Sequence, residues 1–131
     1  MLIVAVGCLV TLDKLVLCQR RPAGMALANC WELPGGKVEE GELMRAALQR
    51  EWQEELGVQI LVHELLDEQI VPFPQGPVLL PLFRVELLTG EVPRPLIDQE
   101  IASLTLEDVL ARPCVPSMPL FAPAIARLLG G

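Results

Sequence analysis

The segment from Pro34 to Gly57 constrains this chain more than any other. Pro34-Gly35-Gly36 predicts a turn, and a helical pattern follows from about Leu43 to Leu56. Met44, Leu48, Trp52 and Leu56 form an i, i+4 row that anchors such a helix to a core, and Gly57 is placed to stop it. Glu51, Glu54 and Glu55 then fall within an arc of about 100° on an adjoining face. The acidic arc lies beside the buried row, not opposite it. Packing the helix would hold three carboxylates close together at the surface.

Two readings of that face compete. Most helical charge runs are solvated faces, and those alternate sign to gain a few tenths of a kcal/mol per pair. Here only Arg50 can pair, with Glu54 one turn on, while Glu51 and Glu55 repel at i, i+4. Three carboxylates on one face would instead suit a hard cation such as Mg²⁺ or Mn²⁺, which prefers oxygen ligands and keeps several waters. Spacing alone leaves both readings open.

The rest of the chain supplies the frame. Residues 2–10 form an apolar, β-branched run that reads as a strand covered on both faces. "TLDK" predicts a turn, and 15–20 a second strand, its hairpin partner. One or two strands are expected over 58–71 and another over 78–88, with Pro81 arguing there for an edge or a bulge. Thr105 caps a short helix over 105–111, and 120–129 forms a terminal helix with Pro123 near its first turns. Strands and helices interleave without repeats or a long linker, so one α/β or α+β domain over 1–131 is expected. The length suffices to bury a core.

A net charge of −7 argues against a nucleic-acid polymer as partner, though bound cations can still admit a phosphorylated small molecule. Cys8, Cys18, Cys30 and Cys114 form no CxxC pair and read as reduced, small core residues, consistent with a cytoplasmic setting. The apolar start lacks a basic leader region and is broken by Asp13 and Lys14, so a buried strand is the expectation rather than an export signal. No segment approaches the ~20 apolar residues of a membrane span. His63, the one histidine, reads as a solvent-facing structural residue.

Read together, the loop and helix give G36-x5-E42-x7-R50-E51-W52-Q53-E54-E55-L56-G57-V58. This resembles the Nudix box, G-x5-E-x7-R-E-U-x-E-E-x-G-U, where U is a bulky aliphatic residue. Every fixed position matches over residues 36–58, and Trp52 at the first U is the one departure. The upstream "QRRPAGMALANCWELPGGKVEEGE" is similar to the MutT-type nucleoside triphosphate pyrophosphohydrolases.

The resemblance implies an α/β/α sandwich with a mixed sheet and a divalent metal, Mg²⁺ or Mn²⁺. It gives Glu51, Glu54 and Glu55 as carboxylate ligands, joined by the Gly35 carbonyl. Arg50 would orient a glutamate, and Glu42 would stand further out. The general base would be Glu51 or Glu54, or lie outside the box at Glu100 or Asp98. Arg20, Arg21, Asn29, Leu33 and Lys37 would meet the nucleotide. Ser117 stands where the group often carries an Asn or Asp that reads the base edge, and a hydroxyl cannot replace a bidentate amide. Met118 or Phe121 would line the pocket. The implied reaction is metal-dependent hydrolysis of a (deoxy)nucleoside triphosphate, such as an oxidised purine or a cytidine nucleotide, to monophosphate and pyrophosphate, by a monomer or homodimer. Hydrolysis of ADP-ribose or a nucleotide sugar, and a silent ligand-binding domain, are the alternatives.

Overall fold

A computed structural model describes residues 1–130. Its elements run β1 (Leu2–Cys8), β2 (Val16–Arg20), β3 (Trp31–Glu32), β4 (Gly35–Lys37), α1 (Met44–Leu56), β5 (Ile60–Phe73), β6 (Gly76–Leu87), β7 (Glu100–Leu104), α2 (Leu106–Leu110) and α3 (Ser117–Leu128). Four strands form a mixed sheet in the order β4-β1-β6-β5, with β1 and β6 parallel and the other pairs antiparallel. The remaining three form an antiparallel sheet, β3-β2-β7.

Period-2 alternation explains why helices cover both sides. Ala5, Leu17, Phe83 and Val85 pack with Leu48, Trp52 and Leu56 of α1. Their neighbours Val6, Cys18, Leu80 and Leu82 pack with Met118, Phe121 and Ile125 of α3. The result is the α/β/α layering and mixed α+β class that the sequence implied. α1 ends at Gly57, whose left-handed φ of 67° lets its N–H reach the Gln53 carbonyl at 3.0 Å. Thr105 caps α2 by accepting from the Asp108 N–H at 3.0 Å.

Several local expectations are corrected. Pro34-Gly35-Gly36 is not a bare turn, because Gly35–Lys37 pairs with Val4–Val6 as a sheet edge. The glycines are needed for close approach: a Cβ on Gly35 would lie 2.0 Å from the Ala5 carbonyl oxygen. β2 begins as the expected hairpin partner, with the bridge Val10↔Val16 and the Leu17 N–H donating to the Leu9 carbonyl at 3.0 Å, but then turns away from β1 to pair with β3 and β7 in a second sheet. Pro81 lies in a central strand, not at an edge, and the bulge alternative fits better, since the β5 partner shifts register opposite Leu82 and Phe83. The proline's missing N–H coincides with a gap in the β1 ladder between Ile3↔Leu79 and Val6↔Leu82. β7 had no clear apolar alternation to announce it, and α3 starts at Ser117, three residues earlier than expected. Among the described residues no helix is long and apolar enough to cross a membrane.

Candidate active site

The site is built where α1 crosses the β1–β4 edge. Trp52 is 1% exposed, and its indole N–H donates to the Pro34 carbonyl at 3.0 Å, an oxygen that also accepts from the Gly7 N–H at 2.9 Å. A Cβ on Gly7 would come within 2.8 Å of the indole ring, so glycine makes the space that the larger side chain fills. The departure from an aliphatic residue thus ties the helix to the residue before the glycine pair. Gly36 then lies directly under Glu51: an added Cβ would stand 2.1 Å from the Glu51 carboxyl carbon.

Arg50 gathers the carboxylates around this junction. It donates to both Glu42 oxygens at 2.9 and 3.0 Å, to Glu51 at 2.9 Å, to Glu54 at 3.3 Å and to the Lys37 carbonyl at 3.0 Å. Its tightest partner is therefore Glu42, not Glu54, and that pairing holds the Glu42 carboxyl down at about 2. Glu55 behaves in the opposite way. Burial first, then the adjacent Glu51 carboxylate, push its carboxyl up to about 8, with Gln19 pulling weakly the other way. Two carboxylates held this closely in a part-buried cleft share a need for positive charge, met by a proton or a cation.

Glu51 and Glu55 face a cavity of about 440 Å³ that Gly35, Gly36 and Lys37 also line. It continues into a second, more apolar cavity of about 870 Å³, the two sharing Val4, Arg21, Glu32, Leu80, Val115 and Ser117. Among the described residues no three His, Cys, Asp or Glu side chains form a ready-made metal cage. A carboxylate pair beside close-approaching glycine backbone nevertheless fits a hard cation that retains waters. Of the candidates, Glu51, Glu55 and Gly35 are brought together, while Glu54, 58% exposed, stands outside the cavity lining, joined to Glu51 through Arg50.

The other candidates divide. Arg21, Leu33, Lys37, Ser117, Met118 and Phe121 line the first cavity. Arg21 is committed within the fold, donating to the Ala26 carbonyl at 2.7 Å and pairing with Glu32 at 3.1 Å. Arg20 pairs with Glu100 at 3.0 Å, and these two line a third, more polar cavity of about 760 Å³ together with Asn29 and Asp98, which shares Arg21, Pro22 and Gln99 with the first. Asn29 holds a left-handed turn with φ 64°. Along the segment entering β7, Ile97 and Gln99 face Glu51 and Glu55 in the first cavity, whereas Asp98 and Glu100 do not line it. His63 hydrogen-bonds Glu86 at 2.8 Å on the surface. Burial pushes the Cys8 and Cys18 thiols up to about 12, as expected of inert core residues.

Sequence reasoning passed over Gln19, Glu32, Ile97 and Gln99. Glu32 lies in the cleft, its carboxyl raised by burial against the opposing pull of Arg21 and Gln19. The signal for Gln19 was available: strand alternation puts it on the face of buried Leu17. Ile97 and Gln99 lie in an irregular stretch, where no period assigns a side.

Comparison with known proteins identifies the family that this fold belongs to. The profile of the NUDIX domain family matches residues 1–124. A Mycobacterium tuberculosis protein provisionally named 8-oxo-dGTP diphosphatase 2 is 37% identical over 133 aligned residues, covering 98% of this chain and 91% of that one. The CTP pyrophosphohydrolase of Escherichia coli is 43% identical over 63 residues, 48% of this chain and 47% of its own. The crystal structure of a MutT NUDIX hydrolase from Burkholderia pseudomallei superposes with a TM-score of 0.79 at 25% identity, covering 97% of each chain. This chain belongs to the NUDIX domain family and is a MutT-type hydrolase within it.

Proposed function

We propose that this enzyme hydrolyses a (deoxy)nucleoside triphosphate, oxidised or otherwise modified in its base, to the monophosphate and pyrophosphate with Mg²⁺ or Mn²⁺. The observation that carries the reading is the continuous cleft, with the Glu51–Glu55 pair at one end and an apolar chamber at the other. Glu51 and Glu55, with the Gly35 carbonyl and with Glu54 reaching in from the rim, would hold the metal. A bound divalent cation would supply charge neutralisation for the phosphates and acidify a water. The chain's own residues do the rest. Arg50 keeps Glu51 and Glu54 within reach of one guanidinium nitrogen, and Lys37 offers the phosphates a positive partner. Glu51, which lines the cavity while Glu54, Asp98 and Glu100 do not, would accept the proton from the attacking water. Leu33, Leu80 and Ser117 would border the base.

A purine and a cytidine substrate both remain consistent with the similarity to the two relatives. A panel of canonical, 8-oxo and 5-substituted triphosphates, with ADP-ribose and sugar nucleotides, tests the reading under Mg²⁺ or Mn²⁺. Pyrophosphate release from a triphosphate is expected. Adenylate release from ADP-ribose alone, or metal-dependent binding without turnover, would contradict it.

A further inference from the structure

Gln19 and Gln99 are the polar side chains buried most deeply among the described residues, 3% and 4% exposed. Eighty residues apart in sequence, they meet at 3.4 Å between the start of the cation end and the base end of the cleft. We propose that they form a positioning relay that fixes the separation of the two ends. The proposal rests on reading the cleft as the nucleotide site.

The direction of the relay is set by its partners. Gln99 Oε1 accepts from the Ile97 N–H at 2.9 Å, which leaves Nε2 to donate to the Glu55 carbonyl at 2.9 Å and to Gln19 Oε1 at 3.4 Å. Gln19 Nε2 donates in turn to Glu32 at 3.1 Å, whose other oxygen meets Arg21. Flipping either amide would set donor against donor or oxygen against carboxylate, so each orientation requires the other. Buried amides are costly unless satisfied, and these two are satisfied by one another, by the Ile97 N–H and by the two ends of the cleft.

The backbone around Gln99 reinforces the link. The Arg94 N–H donates to the Leu56 carbonyl at 2.9 Å and the Leu96 N–H to the Glu55 carbonyl at 3.1 Å. The segment entering β7 therefore caps the last carbonyls of α1, and Gln99 carries that contact across to β2 and β3. Glu55 at the cation end and the Glu32–Arg21 pair at the base end become parts of one rigid chain. A nucleotide spanning both ends would have its phosphates held in register with the carboxylates by this chain.

The experiment is a double-mutant cycle of Gln19→Met and Gln99→Met, near-isosteric changes that remove the amides. For the triphosphate turned over fastest, each variant is expected to lower kcat about 10-fold with KM changed less than about 3-fold, as lost alignment predicts. The double variant should fall no more than about 3-fold below the weaker single one, against about 10-fold below it, and about 100-fold below wild type, if the sites acted independently. Mn²⁺ affinity, followed by electron paramagnetic resonance, should weaken in Gln99→Met. Side-chain amide NMR on metal-free protein separates this proposal from the functional reading. Gln99→Met should displace the Gln19 NH₂ resonances and the Leu56 backbone amide, whatever the enzyme turns over. If Gln99→Met does not fold, Gln19→Met breaks the relay from its other end and should displace the Gln99 NH₂. Unmoved resonances, or a multiplicative cycle in kcat, would overturn the relay.

Discussion

The two ends of the cleft are built on opposite principles. At the carboxylate end, backbone and side chains touch: Gly36 lies against the Glu51 carboxyl, and Trp52 and Arg50 leave little freedom to either. At the far end, a cavity of about 870 Å³ is walled by apolar residues such as Leu2, Phe73 and Val78, with Ser117 and Gln75 among its few polar groups. On the proposed reading, a site for triphosphates can be rigid where the phosphates would lie. Its choice of base depends on shape and a few hydrogen bonds. Substitutions should accordingly cost most at the first end and chiefly alter selectivity at the second.

The largest effect is expected from Glu51→Gln and Glu54→Gln. Each should lower kcat by roughly 100-fold or more with the fold retained, since each removes a charged ligand or base. Near-full activity in folded Glu54→Gln, checked by steady-state kinetics beside circular dichroism, would remove Glu54 from the site and leave it as a rim partner of Arg50.

The carboxylate end was the part most legible in the sequence. Helical periodicity placed Glu51, Glu54 and Glu55 on one face and Trp52 in the packing row, because a helix has one dominant period and local side-chain neighbours. What it could not show is which glutamate faces inward: Glu51 and Glu55 do, while Glu54 does not line the cavity. The base end was far less legible. Ser117 there comes from a helix start, and Ile97 and Gln99, beside the carboxylates, from irregular chain, where tertiary contacts decide which residue turns inward. The sheet was only half legible where it departs from simple pairing: β2 leaves β1 for a second sheet after a short hairpin, and Pro81 sits in a central strand, beside a register shift opposite Leu82 and Phe83 and a gap in the β1 ladder.

Gly36→Ala sharpens the comparison at the next level. Its Cβ would overlap the Glu51 carboxyl, so the carboxylate must swing away or the strand must shift. Turnover should fall about 10- to 100-fold, as for a small misplacement of a reacting group, with Mn²⁺ affinity falling alongside it. An unchanged Mn²⁺ affinity would show that Glu51 does not need its seat over the glycine. Ser117→Ala should have the smallest effect, less than about 10-fold in kcat/KM, consistent with loss of one neutral hydrogen bond. It should change the ranking of substrates across the nucleotide panel more than the rate on the best of them. Equal losses on every nucleotide would place Ser117 outside base selection.

The central claim is that Glu55 and Glu51 are held together for a cation, and thermal unfolding against pH, with and without Mg²⁺, tests it most directly. A folded-state value of about 8, above the ordinary 4.5, means that the folded protein binds the Glu55 proton more tightly than the unfolded chain does. Stability from this group is present below about 4.5 and is lost as pH rises through about 8. The lowered Glu42 titrates below this window and does not mask it. Metal-free protein should therefore melt at progressively lower temperature from pH 5 to pH 8, and Mg²⁺ should raise the melting temperature increasingly over the same range. Glu55→Gln should lose most of both effects. A Mg²⁺ effect that is absent, or equal at pH 5 and pH 8, would contradict the account.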